Sequence, residues 1–299
     1  MTIEEVHCII EAWAKLYAIH LSPDNPLKQN LPDPGASQTT FTDGSSSDAR
    51  DLVYMQIFDN NGSIVGASNP HPHGQIWITS SMPDEPRKEQ AQMKKYREEN
   101  CGAHLLGAYV SLEMDKQERV VWQNEGFLAV CPWWAVWPYE VLLLPKRHVP
   151  SLAHLTASEK LFFSEAMLQL NRIYDNLLGI TFPYVSAIHQ APLNATGEDL
   201  ESSYLHVHFS PPLLFPSIKK FFGGYELYGE PTREITPEDA SAQLRASLAR
   251  LSEPSVKSTG SESPDEAGSQ STSCAKESGG RKEKRSSWWR RIMGKCIRV

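Results

Sequence analysis

Residues 68–77 read Ser-Asn-Pro-His-Pro-His-Gly-Gln-Ile-Trp. His71, His73 and Gln75 recur at every second position. In an extended backbone, successive side chains alternate in direction, so these three point to one face. His73 then sits at the centre, between an imidazole able to ligate a metal and a neutral amide donor. A neutral imidazole is a competent nucleophile at physiological pH. With a metal ligand on one side and an amide on the other, the arrangement suits attack on a phosphate better than attack on an acyl carbon. Two structural histidines at a strand end are the plainer reading, but the block Asn-Pro-His-Pro-His-Gly-Gln is too specific for it.

The residues on either side frame this block. Asp51 to Ile57 alternates as a strand through Val53, Met55 and Ile57. Asp59-Asn60-Asn61-Gly62 reads as a turn, which puts the motif at the exit of a hairpin. Residues 2–20 form an amphipathic helix with Thr2 as its cap and Val6, Ile9, Ile10, Trp13 and Leu16 as its apolar face. Between helix and strand, residues 22–50 are rich in Pro, Ser, Thr, Asp and Gly and read as a flexible insertion. Pro83 to Asn100 and Ser158 to Leu178 are helical. Val120 to Pro132 and Glu140 to Leu144 are strands. Trp133, Trp134 and Trp137 suit core packing better than stacking on a base.

The block resembles the active-site signature of the galactose-1-phosphate uridylyltransferases, a branch of the histidine-triad superfamily. Further segments carry the likeness: Pro-Trp-Trp-Ala-Val-Trp-Pro-Tyr-Glu (132–140), Leu-Leu-Leu-Pro-Lys-Arg-His-Val (142–149), Tyr-Asp-Asn-Leu (174–177), Leu-His-Val-His-Phe-Ser-Pro-Pro (205–212) and Lys-Lys-Phe-Phe-Gly-Gly-Tyr-Glu (219–226). It extends over residues 1–250. The fold it implies is α+β and histidine-triad-like: two related halves with antiparallel sheets flanked by helices, the first half incomplete. Residues 1–118 would be the later portion of the first half, with the nucleophile motif, and residues 119–252 the second half. Met1 aligns almost at the start of the family's helix, so the chain is expected to be truncated at its N-terminus relative to the family.

The activity implied is uridylyl transfer from UDP-glucose to galactose 1-phosphate by double displacement through a uridylyl-histidine. UDP-galactose and glucose 1-phosphate are the products. His73 would be the nucleophile, and Gln75 would donate a neutral hydrogen bond to the phosphoryl oxygens. Sugar phosphates are good leaving groups, so an amide in this place suits transfer between phosphates better than hydrolysis. Asn60, Gly66, Ala67 and Ser68 match positions at the nucleotide phosphates or in the loop holding them. Lys220, Phe221, Gly223, Gly224 and Tyr225 match a loop that binds the hexose phosphate from the neighbouring subunit, so a homodimer is implied. Thr232 aligns near a family contact that is usually Gln, a departure bearing on hexose selectivity.

His206-x-His208 reads as a two-ligand strand pair. With His189 and Glu89 it completes three imidazoles and one carboxylate, a set suited to zinc or iron, and the family places a structural metal on the matching residues. His71 matches one ligand of a separate zinc site whose partners lie in the upstream part, so that site is incomplete here. His148 reads as structural, and His7, His20, His104 and His154 have no constellation around them. Two other readings stand beside the transferase: a dinucleoside-polyphosphate phosphorylase, which shares the His-x-His-x-Gln arrangement, and an inactive truncated remnant acting as a binding protein.

Composition narrows the setting. The chain has 299 residues, a net charge of −7 and eight Trp, which gives ample core and no nucleic-acid-binding character. Its five cysteines (8, 101, 131, 274, 296) form no Cys-x-x-Cys pair, favouring a reducing compartment, and no secretory pattern opens the chain, so the cytosol is expected. Residues 253–299 read as a disordered tail. Its last nineteen residues carry eight basic side chains and one acidic, +7, leaving −14 for residues 1–280. Arg298 fits poorly in a prenylation signal, and although the basic residues would suit a weak contact with an anionic membrane, an unstructured tail is the better reading.

Overall fold

The computed structural model describes residues 1–21, 52–62, 65, 74–215, 218–219, 230 and 233–252. The insertion at 22–50, His71, His73, most of the loop at 219–226 and the tail lie outside these. Residues 1–253 form one compact unit.

Antiparallel strands dominate. In chain order the elements are α1 (Ile3–Leu21), β1 (Tyr54–Asn61), β2 (Gly74–Thr79), α2 (Asp84–Glu99), α3 (Leu105–Lys116), β3 (Val120–Gln123), β4 (Phe127–Val130) and β5 (Val141–Pro145), followed by α4 (Ala157–Leu178), β6 (Tyr184–His189), α5 (Gly197–Ser202), β7 (His206–Ser210), β8 (Leu213–Phe215), β9 (Ile218–Lys219) and α6 (Pro237–Ser252). Seven strands make one sheet in the order β2-β1-β6-β7-β5-β4-β3, and β8 and β9 form a separate pair. The two strands from residues 1–118 lie at one end and the five from residues 119–252 at the other. They meet at the β1–β6 seam, where Ile57 pairs with Ile188 and Asn61 with Tyr184.

Strand alternation sorts the sheet into two faces. Met55, Ile57, Val141, Leu143, Ile188, Val207 and Phe209 share one core with α1, α4 and α6 residues such as Ile10, Phe163, Ile173 and Leu244. On the opposite face, Leu128, Val130, Leu142 and Leu144 pack under Met93 of α2 and Leu106, Tyr109 and Val110 of α3. Helices α2 and α3 thus cover the β5-β4-β3 end of this second face. The β2-β1-β6-β7 end carries the polar residues considered below.

Local signals explain the helix starts. Thr2 and Glu5 form a reciprocal cap, with Glu5 N–H donating to Thr2 Oγ1 at 3.2 Å and Thr2 N–H to Glu5 Oε2 at 2.8 Å. Thr156 and Glu159 repeat the device at α4. Two expectations need correction. The buried stripe of α1 is Val6, Ile10, Ala14, Tyr17 and His20, whereas Ile9 and Leu16 are both 37% exposed. The helix is turned because it packs on α4, and the Tyr17 hydroxyl donates to Ala191 O at 2.7 Å. Asp59-Asn60-Asn61 is no turn, for these residues end β1. Pairing with β6 and the Asn61 Nδ2 bond to Phe182 O (3.0 Å) extend the strand to Gly62, whose φ of +94° breaks it. The described end of the motif, Gly74 to Trp77, lies within β2.

The tryptophan segment is structural as read. Arg119 lies over Trp133, 5.5 Å from the ring centre, and Trp134 tilts on Tyr109. Glu140 accepts from the N–H groups of Val136 and Trp137, and Arg233 donates to the carbonyls of Trp133 and Ala135. Tyr-Asp-Asn-Leu is structural too. The Tyr174 hydroxyl donates to Tyr139 O, Asp175 accepts from Phe182 N–H, and Asn176 donates to Ser247 O. Among the described residues no helix is long and apolar enough to cross a membrane.

Candidate metal centre

Four of the residues singled out from sequence come together. Glu89 of α2, His189 at the end of β6, and His206 and His208 of β7 offer ligand atoms that all lie within 4.8 Å of one another. The sheet supplies the three imidazoles. His189 pairs directly with His206, and His208 with Ala187, so all three side chains share one face. Helix α2 lowers Glu89 onto them. Its Oε2 stands 2.6 Å from His189 Nδ1 and 3.3 Å from His206 Nε2, and its Oε1 stands 3.4 Å from His208 Nε2.

The protonation pattern fits a bound cation. His206 Nδ1 lies 2.7 Å from Tyr204 O, which can only accept, so Nδ1 carries the proton. In a neutral ring, Nε2 is then a lone-pair nitrogen facing a carboxylate oxygen. Two acceptors face each other unless the imidazole is doubly protonated or a cation lies between them. His208 Nε2 is buried without a hydrogen-bond partner, despite its 3.4 Å approach to Glu89. Burial holds the His208 pKa below its ordinary value and so favours the neutral, ligating ring. Burial alone would raise the Glu89 pKa, but the three histidines outweigh it and hold the carboxyl well below its usual range. The Glu89 distances to His206 and His208, 3.3 and 3.4 Å, are close to the roughly 3.3 Å between ligand atoms of a four-coordinate zinc, while the 2.6 Å to His189 is that of a hydrogen bond. Beside the cluster, Tyr54, Met82, Pro86, Met93 and Gln190 line a small cavity of ≈ 10 Å³, close to the size of one water. Glu89, His189, His206 and His208 could therefore hold a metal ion.

The other predicted residues divide. Gln75 is exposed on β2 and pairs with Phe58, which pairs in turn with Ala187, the partner of His208. Gln75, Phe58, Ala187 and His208 thus form one row on one face. Three strand spacings separate Gln75 from His208, roughly 14 Å. Asn60, paired with Val185, points to the same face. His71, His73, Gly66, Ala67, Ser68, Lys220, Phe221, Gly223, Gly224, Tyr225 and Thr232 lie outside the described residues.

His148 is structural as expected, its Nε2 donating to Ser203 O at 2.8 Å. His104, read as isolated, instead stacks on His148 with ring centres 3.7 Å apart. Its pKa is lowered by burial first and then by His148 and Arg97, with Glu201 opposing. His154 is lowered in the same way, by burial, His148 and Arg147, again against Glu201. A histidine with a depressed pKa takes up its proton more readily once unfolded. The stability it contributes is therefore present above about 6.5 and lost as pH falls toward the folded value. His104→Gln should flatten the decline in stability between pH 7.5 and 5.5. Urea midpoints at those two pH values measure it, and a decline as steep as in the wild type would remove His104 from the acid response.

Sequence motifs alone did not point to the residues that fasten α2 over the histidines. Gln90, Ser202 and Ser203 do so through contacts more than a hundred residues apart in sequence.

Residues 1–83 match the N-terminal domain model of galactose-1-phosphate uridyl transferase, and residues 89–257 match its C-terminal domain model. A galactose-1-phosphate uridylyltransferase of Neurospora crassa is 53% identical over 248 residues, covering 82% of this chain and 63% of that protein. One of Hypocrea jecorina is 51% identical over 248 residues, covering 82% and 64%. The chain thus spans less than two thirds of the length of these relatives. Among solved structures, a uridylyltransferase superposes with a TM-score of 0.69 at 24% identity, over 85% of this chain and 70% of that one. An ADP-glucose phosphorylase from Arabidopsis thaliana superposes with a TM-score of 0.63 at 21% identity, over 82% and 67%. These two likenesses establish the fold, and the domain matches across residues 1–83 and 89–257 establish more: the chain belongs to the galactose-1-phosphate uridylyltransferase family.

Proposed function

We propose that this chain carries the uridylyl-transfer chemistry of its family: UDP-glucose and galactose 1-phosphate in, glucose 1-phosphate and UDP-galactose out. The observation that carries the reading is the row on the open sheet face, which ends on Gln75 two residues after His73. His73 attacks the α-phosphorus of UDP-glucose and the bond to glucose 1-phosphate breaks. Galactose 1-phosphate then attacks uridylyl-His73, and the phosphorus–nitrogen bond breaks to release UDP-galactose and the free imidazole. Gln75 donates its amide N–H to a phosphoryl oxygen throughout. Asn60 projects from the same face as Gln75, and Gly66, Ala67 and Ser68 match family positions at the nucleotide phosphates or in the loop holding them. Lys220, Phe221, Gly223, Gly224 and Tyr225 of a second copy hold the hexose phosphate.

Glu89, His189, His206 and His208 would hold a zinc or iron ion, which would cross-link α2 to the sheet rather than supply chemistry at the phosphate. The three strand spacings between His208 and Gln75, roughly 14 Å, support that division of labour. The strands of residues 1–118 and 119–252 sort to opposite ends of the sheet, which supports two related halves meeting at β1–β6. The setting is cytosolic.

A product assay tests the function. UDP-glucose with galactose 1-phosphate is offered in one arm, and diadenosine tetraphosphate with inorganic phosphate in the other. Both are run on the 299-residue chain and on the chain extended upstream with the matching segment of the Neurospora relative. The family resemblance implies that such an upstream segment carries the rest of the uridine pocket and the partners of His71. UDP-galactose formation, strongest in the extended chain, is expected. Phosphorolysis of the dinucleotide without UDP-galactose would favour the phosphorylase, and no turnover in any arm would favour a binding protein.

A further inference from the structure

We infer that Gln90 is the positioning residue of the metal centre, the group that sets where Glu89 stands over the three histidines. The inference rests on the metal reading above. Three of the four ligands are fixed by strand pairing in the centre of the sheet. Glu89 alone comes from a helix, and α2 has no strand partners to fix its height over the sheet. Gln90, the next residue, uses both ends of its amide. Its Nε2 donates to Asp199 O at 2.7 Å and to Ser202 Oγ at 3.0 Å, and its Oε1 accepts from Ser203 Oγ at 3.0 Å. Asp199, Ser202 and Ser203 belong to α5 and its exit, within the connection from His189 to His206. The clamp therefore ties the helical ligand to the segment joining two of the strand ligands.

The neighbouring charge pairs are weaker candidates for this role. Lys94–Asp199 (2.9 Å) and Arg97–Glu201 (4.0 Å) involve exposed carboxylates, and exposed pairs contribute little. The clamp's partners do not depend on Gln90. Ser203 Oγ also reaches Asp199 O at 2.6 Å and Ser202 Oγ reaches it at 3.3 Å. Replacing Gln90 by Leu, of similar size, leaves these groups bonded to one another, so the fold should tolerate the change.

The test uses the full chain, stripped by chelator and titrated with Zn²⁺ against a competing chelator. Gln90→Leu should weaken zinc binding by about 10–100-fold, the range for loss of a partner that orients a ligand. The rise in melting temperature on adding zinc should shrink, while the melting temperature of the stripped chain stays near wild type. A merely structural role would lower the stripped chain's melting temperature and leave the zinc-induced rise intact. Gln90→Glu, which still accepts from Ser203, should recover part of the affinity, and Lys94→Ala should change nothing. Should Gln90→Leu not fold, Ser203→Ala removes one bond of the clamp and should weaken zinc by a smaller factor. Wild-type affinity in whichever of these two variants folds would overturn the inference while leaving the metal centre standing. Absence of zinc binding in the wild type would overturn both.

Discussion

His73→Ala should abolish uridylyl exchange. The imidazole is the one group in the proposed mechanism that bonds to phosphorus, and the family resemblance gives the nearby imidazole of His71 to a metal instead. Gln75 offers only a neutral amide. Loss of a covalent nucleophile has cost on the order of 10⁶-fold in kcat in a protease, so a fall of at least about 10⁴-fold is expected here. Gln75→Ala should be milder, about 10²–10³-fold, as for loss of one oxyanion donor. The two variants together separate bond making from charge stabilisation. Exchange kinetics in the extended chain measure both. Equal losses in the two would mean that Gln75 holds His73 in place rather than stabilising the phosphoryl group.

His206→Ala should empty the metal centre. His206 is buried, and its ring is fixed by Tyr204 O, so it is the best organised of the four ligands. Three ligands would remain, with Glu89 left against His189 and His208. Affinity should fall by more than the roughly 10–100-fold typical of an outer partner. Because metal binding and folding are coupled, the melting temperature should fall toward that of the chelator-stripped chain. Exchange activity should fall far less than in His73→Ala, since Gln75 stands three strands away. Elemental analysis of purified protein, run beside the exchange assay, reads both. A loss of activity as deep as in His73→Ala would place this metal in the chemistry.

Much of this centre was legible before the fold was known. His206-x-His208 is a two-residue spacing, and a strand turns it into two ligands on one face. His189, seventeen residues before His206, and Glu89 completed a chemically suitable ligand set that the family likeness supported, although no local pattern links Glu89 to residues a hundred positions away. The same gap hid the β1–β6 seam. Strand pairing between residue 57 and residue 188 leaves no trace in either segment alone. The buried face of α1 was misjudged for another reason. Ile9 and Leu16 make as good an apolar stripe as Ala14 and Tyr17, and only packing on α4 chooses between them. Asp59-Asn60-Asn61 has turn chemistry, but pairing with β6 overrides it. The Gln90 clamp had no signal at all, since an amide in a polar helix reads as surface.

The most direct measurement follows the uridylyl group itself. The extended chain is incubated with UDP-glucose labelled in the uridylyl moiety, quenched at alkaline pH, digested and mapped by mass spectrometry. The account predicts one acid-labile uridylyl adduct on the peptide containing residues 68–77, at His73, discharged by galactose 1-phosphate. An adduct on any other residue, or exchange with no adduct in either direction, would contradict it.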